Sequence, residues 1–343
     1  MRLREVSTLP RLTLHPYACQ MPLRRALSLA LLSSLAIVFG ACGGKPETLK
    51  PANVMLDWTP NPIHAGLLLA KAKGLDHNEG VDVTLRTPAS SGDGARLLLA
   101  GRTDLAVLDI HDFALLAEQG RPVVAVMEVT GKPLAGLIAS PSIQTPKALG
   151  GKVVAVTGVP SDAAVTKTIV KGAGGNPASV KLRNAGYGAV DALLGGHADA
   201  AVGFVNEEGV AVPADHPGFH VFKVDSWGAP AYPELLLVTT KQKLAENPFL
   251  VGAVVKAFVK GTREALEKPE GARAAVAAKV GNAGSKLLSQ RMAASLAAIA
   301  PPSGQPGSFN AVILAEWAKW ELATGLVAKL PDTKALFDGR FTD

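Results

Sequence analysis

From about Asn53 onward the chain alternates short apolar runs of strand length with longer stretches of helical spacing. The short runs predict strands at Val54–Asp57, Val81–Leu85, Leu105–Asp109, Val123–Val129 and Leu134–Ala139, then at Val153–Thr157, Ala200–Phe204, His220–Val224 and Leu235–Thr239. Between them lie helices with start and stop signals. Asp93 precedes Gly94–Ala100, which Gly101 closes, and Ser161 precedes Asp162–Lys171, which Gly172 closes. Such alternation predicts parallel sheets joined by crossover helices. After Thr240 the strand pattern stops. Leu250, Val251, Val254, Val255, Phe258 and Val259 recur at helical spacing between Asn247-Pro248 and Pro269, so the C-terminal third is expected to be helical.

One internal echo bears on the architecture. Leu98-Leu99-Ala100-Gly101-Arg102-Thr103-Asp104-Leu105-Ala106-Val107 matches Leu193-Leu194-Gly195-Gly196-His197-Ala198-Asp199-Ala200-Ala201-Val202. A helix end, a glycine stop, polar residues, an aspartate and a strand recur in the same order. The offset of about 95 residues is too long for a solenoid repeat and suits two similar lobes. A ligand is then expected in the cleft between them.

The N-terminal segment has a different character. Arg24 and Arg25 precede the apolar stretch Ala26–Phe39, which Gly40, Ala41 and Cys42 follow. This is the pattern of a secretory signal, and its apolar part is short of the roughly 20 residues that cross a bilayer. A second start at Met21 would place residues 1–20 upstream of the working chain. The formal charge of +6 is also concentrated here: residues 1–41 carry five arginines and one acid, whereas the remainder has 30 basic and 28 acidic residues. A nearly neutral body argues against a nucleic-acid binder. Two cysteines exclude a disulfide scaffold, and the seven histidines show no metal-ligand spacing, so neither metal nor cofactor is expected.

The segment Asn53–Gly74 carries the most specific motif. A strand runs into the turn Trp58-Thr59-Pro60-Asn61, Pro62 opens a helix, and His64 lies in its first turn. Open α/β sheets bind ligands at the carboxyl ends of their strands, which puts Trp58 and His64 where a ligand would sit. The string Leu56–Leu67, LDWTPNPIHAGL, resembles the opening of the periplasmic solute-binding family that takes up pyrimidine precursors of thiamine, whose fold the eukaryotic thiamine-pyrimidine synthases share. The likeness continues in Leu149–Asp162, in Gly203–Val210 (GFVNEEGV) and around Tyr232-Pro233-Glu234. Cys42 after Gly-Ala resembles a lipobox, although Phe39 departs from the aliphatic residue usual there; the alternative is an ordinary exported protein.

The resemblance implies an α/β, two-lobed periplasmic-binding-protein fold (type II) with parallel-sheet lobes. Lobe one is expected at 53–139 and 232–343, lobe two at 140–231, and a tether at 42–52 after the signal. It further implies a non-enzymatic, membrane-anchored lipoprotein receptor, monomeric and facing the periplasm or extracellular side. Its partners would be a small solute and an ABC permease. The solute would be a heteroaromatic such as a thiamine pyrimidine precursor, or alternatively riboflavin or an alkylsulfonate. The related synthases carry a Cys-rich iron-binding segment, and no cysteine follows Cys42.

Trp58 offers a π-face for stacking a flat ring, or else packs under its turn. His64 either bonds a ring nitrogen or caps the turn, and Asn61 either touches ligand or shapes the turn. Asn206 and Glu208 follow a strand end, where a carboxylate suits the donor edge of an aminopyrimidine. Tyr187 would close from lobe two, Asp162 matches a cleft position of the family, and Tyr232 lies at the return to lobe one. Glu234 is expected either in the site or bridging the hinge.

Overall fold

A computed structural model describes residues 48–302 and 304–342, all within one contact-defined unit, Glu47–Asp343. The expected signal segment 1–41 and the lipidation residue Cys42 lie outside the described residues, as does most of the 42–52 tether. No helix among the described residues is long and apolar enough to cross a membrane.

Among the described residues, ten strands form two five-stranded sheets. In chain order they are β1 (Lys50–Met55), β2 (Val81–Arg86), β3 (Leu105–Asp109), β4 (Val123–Glu128) and β5 (Ala135–Ala139). The others are β6 (Val153–Val156), β7 (Lys181–Asn184), β8 (Ala200–Phe204), β9 (His220–Lys223) and β10 (Leu235–Thr240). The first sheet runs β2-β1-β3-β10-β4 and the second β7-β6-β8-β5-β9. Central strands β3 and β10 are mostly apolar and buried on both faces, as helix-covered strands must be.

The sheets depart from the all-parallel expectation. β10 runs antiparallel to β3 and β4, and β5 runs antiparallel to β8 and β9. These two are the strands the chain enters directly from the other lobe, so no crossover helix orients them. The lobe boundary shifts for the same reason. β5 pairs with β8 and β9, so residues 135–139 belong to the second lobe and the first crossing falls at 129–134. β7 has no apolar alternation, is exposed along its length and sits at a sheet edge, so periodicity did not reveal it.

The echo in the sequence is a duplicated strand start. Asp104 donates its N–H to Asn53 O and accepts Asn53 N–H on Oδ2 at 2.8 Å. Asp199 donates to Val153 O and accepts Val153 N–H on Oδ2 at 2.9 Å. Each aspartate thereby fixes a parallel neighbour, β1 against β3 and β6 against β8.

After β10 the chain is helical, with long helices at Pro248–Glu267, Pro269–Val280, Lys286–Ile299 and Ala311–Thr324. Asn247 accepts from Leu250 N–H and opens the first of them at Pro248, as expected. Two other caps differ. Asp93 bonds backward to Ala89 and Ser90 N–H, and Ser161 makes no cap bond, since Pro160 holds that place. The helix Pro248–Glu267 packs against Ala65–Ala72 through facing glycines. A Cβ on Gly66 would fall on Thr262 Oγ1, and one on Gly261 would fall on Gly66 O.

Candidate functional site

The carboxyl ends of β1, β3, β6 and β8 converge on a cleft of about 180 Å³ between the two sheets. Asp57, Trp58, Asp109, His111 and Asp112 reach it from the first sheet; Thr157, Asp162, Tyr187, Glu207 and Glu208 reach it from the second. Ala135 and Glu234 line it where the chain crosses between lobes. Among the described residues, seven carboxyl groups and one imidazole line this cleft, and no lysine or arginine does.

The turn after β1 is built by its own side chains. Asn61 is extended, accepts Ile63 N–H on Oδ1 at 2.9 Å and donates to Thr59 O, which starts the short helix at Pro62. His64 is fully buried, and Asn61 N–H donates to its Nδ1 at 3.2 Å. Its Nε2 therefore carries the proton and donates to Asp57 Oδ1 at 2.7 Å. The histidine aims Asp57 at the cleft without lining it. Trp58 projects beside Asp57, and its ring centroid lies 3.6 Å from that of Tyr187, edge to face.

On the second lobe Asp162 accepts from Thr157 Oγ1 at 3.0 Å and Gly158 N–H at 2.8 Å. Burial raises its pKa against the pull of those two bonds. Glu208 accepts Phe204 N–H at 3.0 Å, and burial raises its pKa also. Burial pushes Glu207 up to about 7, although Arg291 Nε stands 3.4 Å away. Tyr187 is pushed up to about 12, first by burial and then by Asp57 and Asp93, so its hydroxyl keeps its proton. Asn206 turns away and donates to Ser295 Oγ at 3.0 Å.

The inner end of the cleft is a charged network. Asp109 caps the helix Ile110–Glu118 by accepting His111 N–H at 2.7 Å. His111 Nδ1 bonds Glu321 Oε1, which also accepts Trp317 Nε1–H at 2.7 Å. Burial lowers the His111 pKa, but Asp109, Glu321 and Glu234 together outweigh it and carry it up to about 10. Glu234 Oε2 accepts N–H bonds from Leu134 at 2.5 Å and Ala135 at 2.9 Å. One carboxylate of the return crossing thus pins the outgoing crossing. Tyr232 is fully buried beside this network, stacked on Trp320 with centroids 5.6 Å apart.

The structure brings Trp58, Asn61, Asp162, Tyr187 and Glu208 to one cleft and puts His64, Asn206 and Tyr232 one layer behind it. The sequence reading passed over Asp57, Asp109, His111 and Asp112. Asp57 and Asp109 stand at predicted strand ends, the signal that singled out Trp58. His111 carries no motif, because its partners Glu234 and Glu321 are distant in sequence.

Residues 61–272 match the family model described as NMT1/THI5 like. The chain is 31% identical over 227 residues to a formylaminopyrimidine-binding protein of Halalkalibacterium halodurans, covering 65% of this chain and 69% of that one. It is 26% identical to a 4-amino-5-hydroxymethyl-2-methylpyrimidine phosphate synthase of Legionella pneumophila, covering 63% of this chain and 70% of that one. The fold superposes on an alkanesulfonate-binding protein from Xanthomonas axonopodis pv. citri with a TM-score of 0.67 at 14% identity, covering 84% and 98% of the two chains. The two-lobed architecture is the periplasmic-binding-protein fold.

Proposed function

The chain belongs to the NMT1/THI5-like family, and on that premise we propose that it is the extracytoplasmic solute receptor of an ABC importer, binding a single-ring aminopyrimidine without turnover. The carrying observation is the pairing of Trp58 and Tyr187 across a cleft lined by carboxylates. Aromatic faces hold a flat ring, and carboxylates accept the N–H bonds of an exocyclic amine. Asp57, Asp162, Glu207 and Glu208 are the groups we assign to that edge, with Asn61 holding the turn beneath. The importer and the pyrimidine chemistry follow the binding-protein relative, whose name specifies a formylaminopyrimidine.

Two alternatives fit this cleft less well. An alkylsulfonate would face seven carboxyl groups and no lysine or arginine. Riboflavin has a fused tricycle and a long polar chain, and a cavity of about 180 Å³ is below the roughly 300–1,000 Å³ of common ligand pockets. Binding across the cleft would favour the shut state of the lobes, the form an importer reads. Export and a lipid anchor at Cys42 complete the proposal. The test is calorimetry of the purified protein against an aminopyrimidine, its phosphate, an alkylsulfonate and riboflavin. The expected result is heat of binding for the unphosphorylated aminopyrimidine, which is recovered unchanged. Preference for the sulfonate or conversion of the ligand would overturn the reading.

A further inference from the structure

We propose that Asp109, His111 and Glu234 form a binding site for a first-row divalent metal cation, Zn²⁺ being the reference ion, at the inner end of the cleft. One donor atom from each residue lies within 4.8 Å of the others, and His111 Nε2 stands 3.8 Å from Glu234 Oε1. Tetrahedral zinc with bonds of about 2.1 Å sets its ligands about 3.4 Å apart, so the His111–Glu234 pair needs to close by about 0.4 Å and the pairs with Asp109 by at most about 1.4 Å.

Among the described residues, two buried atoms in this group make no hydrogen bond, their only polar contact being the 3.8 Å approach to each other. His111 Nε2 and Glu234 Oε1 accept or donate no hydrogen bond, although both residues are fully buried and both line the cleft. Buried polar atoms left over in this way call for a ligand. The rest of each side chain is already committed to orientation. Glu321 accepts the Nδ1–H of His111, so Nε2 is the metal-facing nitrogen once the incoming cation displaces its proton to solvent, and Trp317 in turn fixes Glu321. A carboxylate behind a ligating histidine is the usual support of a protein metal site. Glu234 has its Oε2 on the two backbone N–H groups and its Oε1 free. Asp109 spends one oxygen on its helix cap and keeps the second.

The donor set selects the ion. One imidazole nitrogen with two carboxylates suits zinc and its first-row neighbours, whereas magnesium and calcium prefer all-oxygen shells. The proposal is independent of which heterocycle the cleft takes. A bound cation would join β3 to the return crossing and offset the acidic floor.

The test is dialysis of chelator-stripped protein against Zn²⁺, followed by elemental analysis, with Co²⁺ absorption as a second readout. About one equivalent of zinc is expected, together with cobalt bands characteristic of a nitrogen-containing site. Asp109→Asn and His111→Gln should each weaken zinc at least tenfold, and Glu321→Gln about 10–100-fold. His77→Ala, in the separate group of buried Asp76 with exposed His77 and Asp82, should change nothing. Should His111→Gln not fold, Asp109→Asn still decides, since asparagine keeps the helix cap. No retained zinc, or retention lost with His77→Ala but kept in Asp109→Asn, would overturn the proposal.

Discussion

Trp58 and Tyr187 meet edge to face across the cleft, with ring centroids 3.6 Å apart and planes inclined by 68°. Trp58 follows β1 of the first sheet and Tyr187 follows β7 of the second, so one contact ties the two lobes at the mouth of the site. No ring fits between the two as they stand. A flat solute must use the outer face of Trp58 or displace the half-exposed Tyr187. Trp58→Ala should therefore weaken the bound heterocycle at least tenfold, about 1.4 kcal/mol, with little change in thermal midpoint. Tyr187→Phe should be milder, because it keeps the ring. Calorimetry and thermal unfolding on the same samples check both; a large midpoint loss in Trp58→Ala would mark it as a core residue instead.

Asp104 and Asp199 hold equivalent places, each clamping the backbone of the parallel strand beside it. Asp104→Ala and Asp199→Ala should each cost about 1–3 kcal/mol, because each leaves a backbone N–H without its acceptor. The two sites lie in different sheets, so the double variant should show near-additive loss in denaturant unfolding. A loss at only one of them would mean that the repeated sequence is not a repeated function.

Most of this architecture was legible because apolar periodicity and glycine stops are local. β3 and β8 fall where the pattern places them, and the echoed aspartates mark the matching strand pairs of the two sheets. Sheet direction was not legible, since an apolar run such as β5 reads the same whichever way it pairs and whichever lobe it joins. The site divides the same way. Trp58 and Asn61 can be placed at the cleft from sequence because strand, turn and helix follow one another directly. His64 was placed correctly near the turn, yet its two ring nitrogens are spent on Asn61 N–H and Asp57, a bonding choice that no spacing encodes. The inner network depends on Glu234 and Glu321 returning to His111 after long excursions of the chain, which is a tertiary fact.

His64 offers a direct test of its supporting role. It is fully buried and holds Asp57 through Nε2–H at 2.7 Å while receiving Asn61 N–H on Nδ1. His64→Ala removes both bonds and should destabilise the fold by about 2–4 kcal/mol, from the lost packing and the two unmet polar groups. Asp57→Asn keeps a side chain of the same size and should leave stability nearly unchanged while weakening the heterocycle. The reverse pattern, with binding lost only in His64→Ala, would put the imidazole on the ligand.

Glu128 should make stability fall as pH rises. It is buried in β4, its carboxylate has no hydrogen bond or ion pair among the described residues, and burial pushes its pKa up to about 8 from the ordinary 4.5. Below pH 4.5 the carboxyl is protonated in both folded and unfolded chains and contributes nothing. Between 4.5 and about 8 the unfolded chain ionises first, so stability drains away at up to about 1.4 kcal/mol per pH unit. Glu128→Gln should remove that slope and be the more stable protein at pH 9. Urea unfolding at pH 5, 7 and 9 checks this; equal slopes in both proteins would show that Glu128 is not the group concerned.

The facing glycines of the helices Ala65–Ala72 and Pro248–Glu267 set how closely the first lobe can pack. A Cβ on Gly261 would land on Gly66 O and stand 2.8 Å from Ala70 Cβ, and both neighbours are backbone or stub side chain that cannot rotate away. Alanine is otherwise the better helix former by about 0.8–1 kcal/mol, so propensity alone predicts that Gly261→Ala stabilises. Overpacking costs about 1–3 kcal/mol and should win, because the helices can relieve it only by moving apart. Gly271, where the nearest atom to a Cβ is Leu69 Cδ1 at 3.6 Å, is the matched control, and Gly271→Ala should be neutral or stabilising. Thermal unfolding of the two variants separates the effects: a lower midpoint for Gly261→Ala alone shows that close approach, not helix propensity, fixed glycine there.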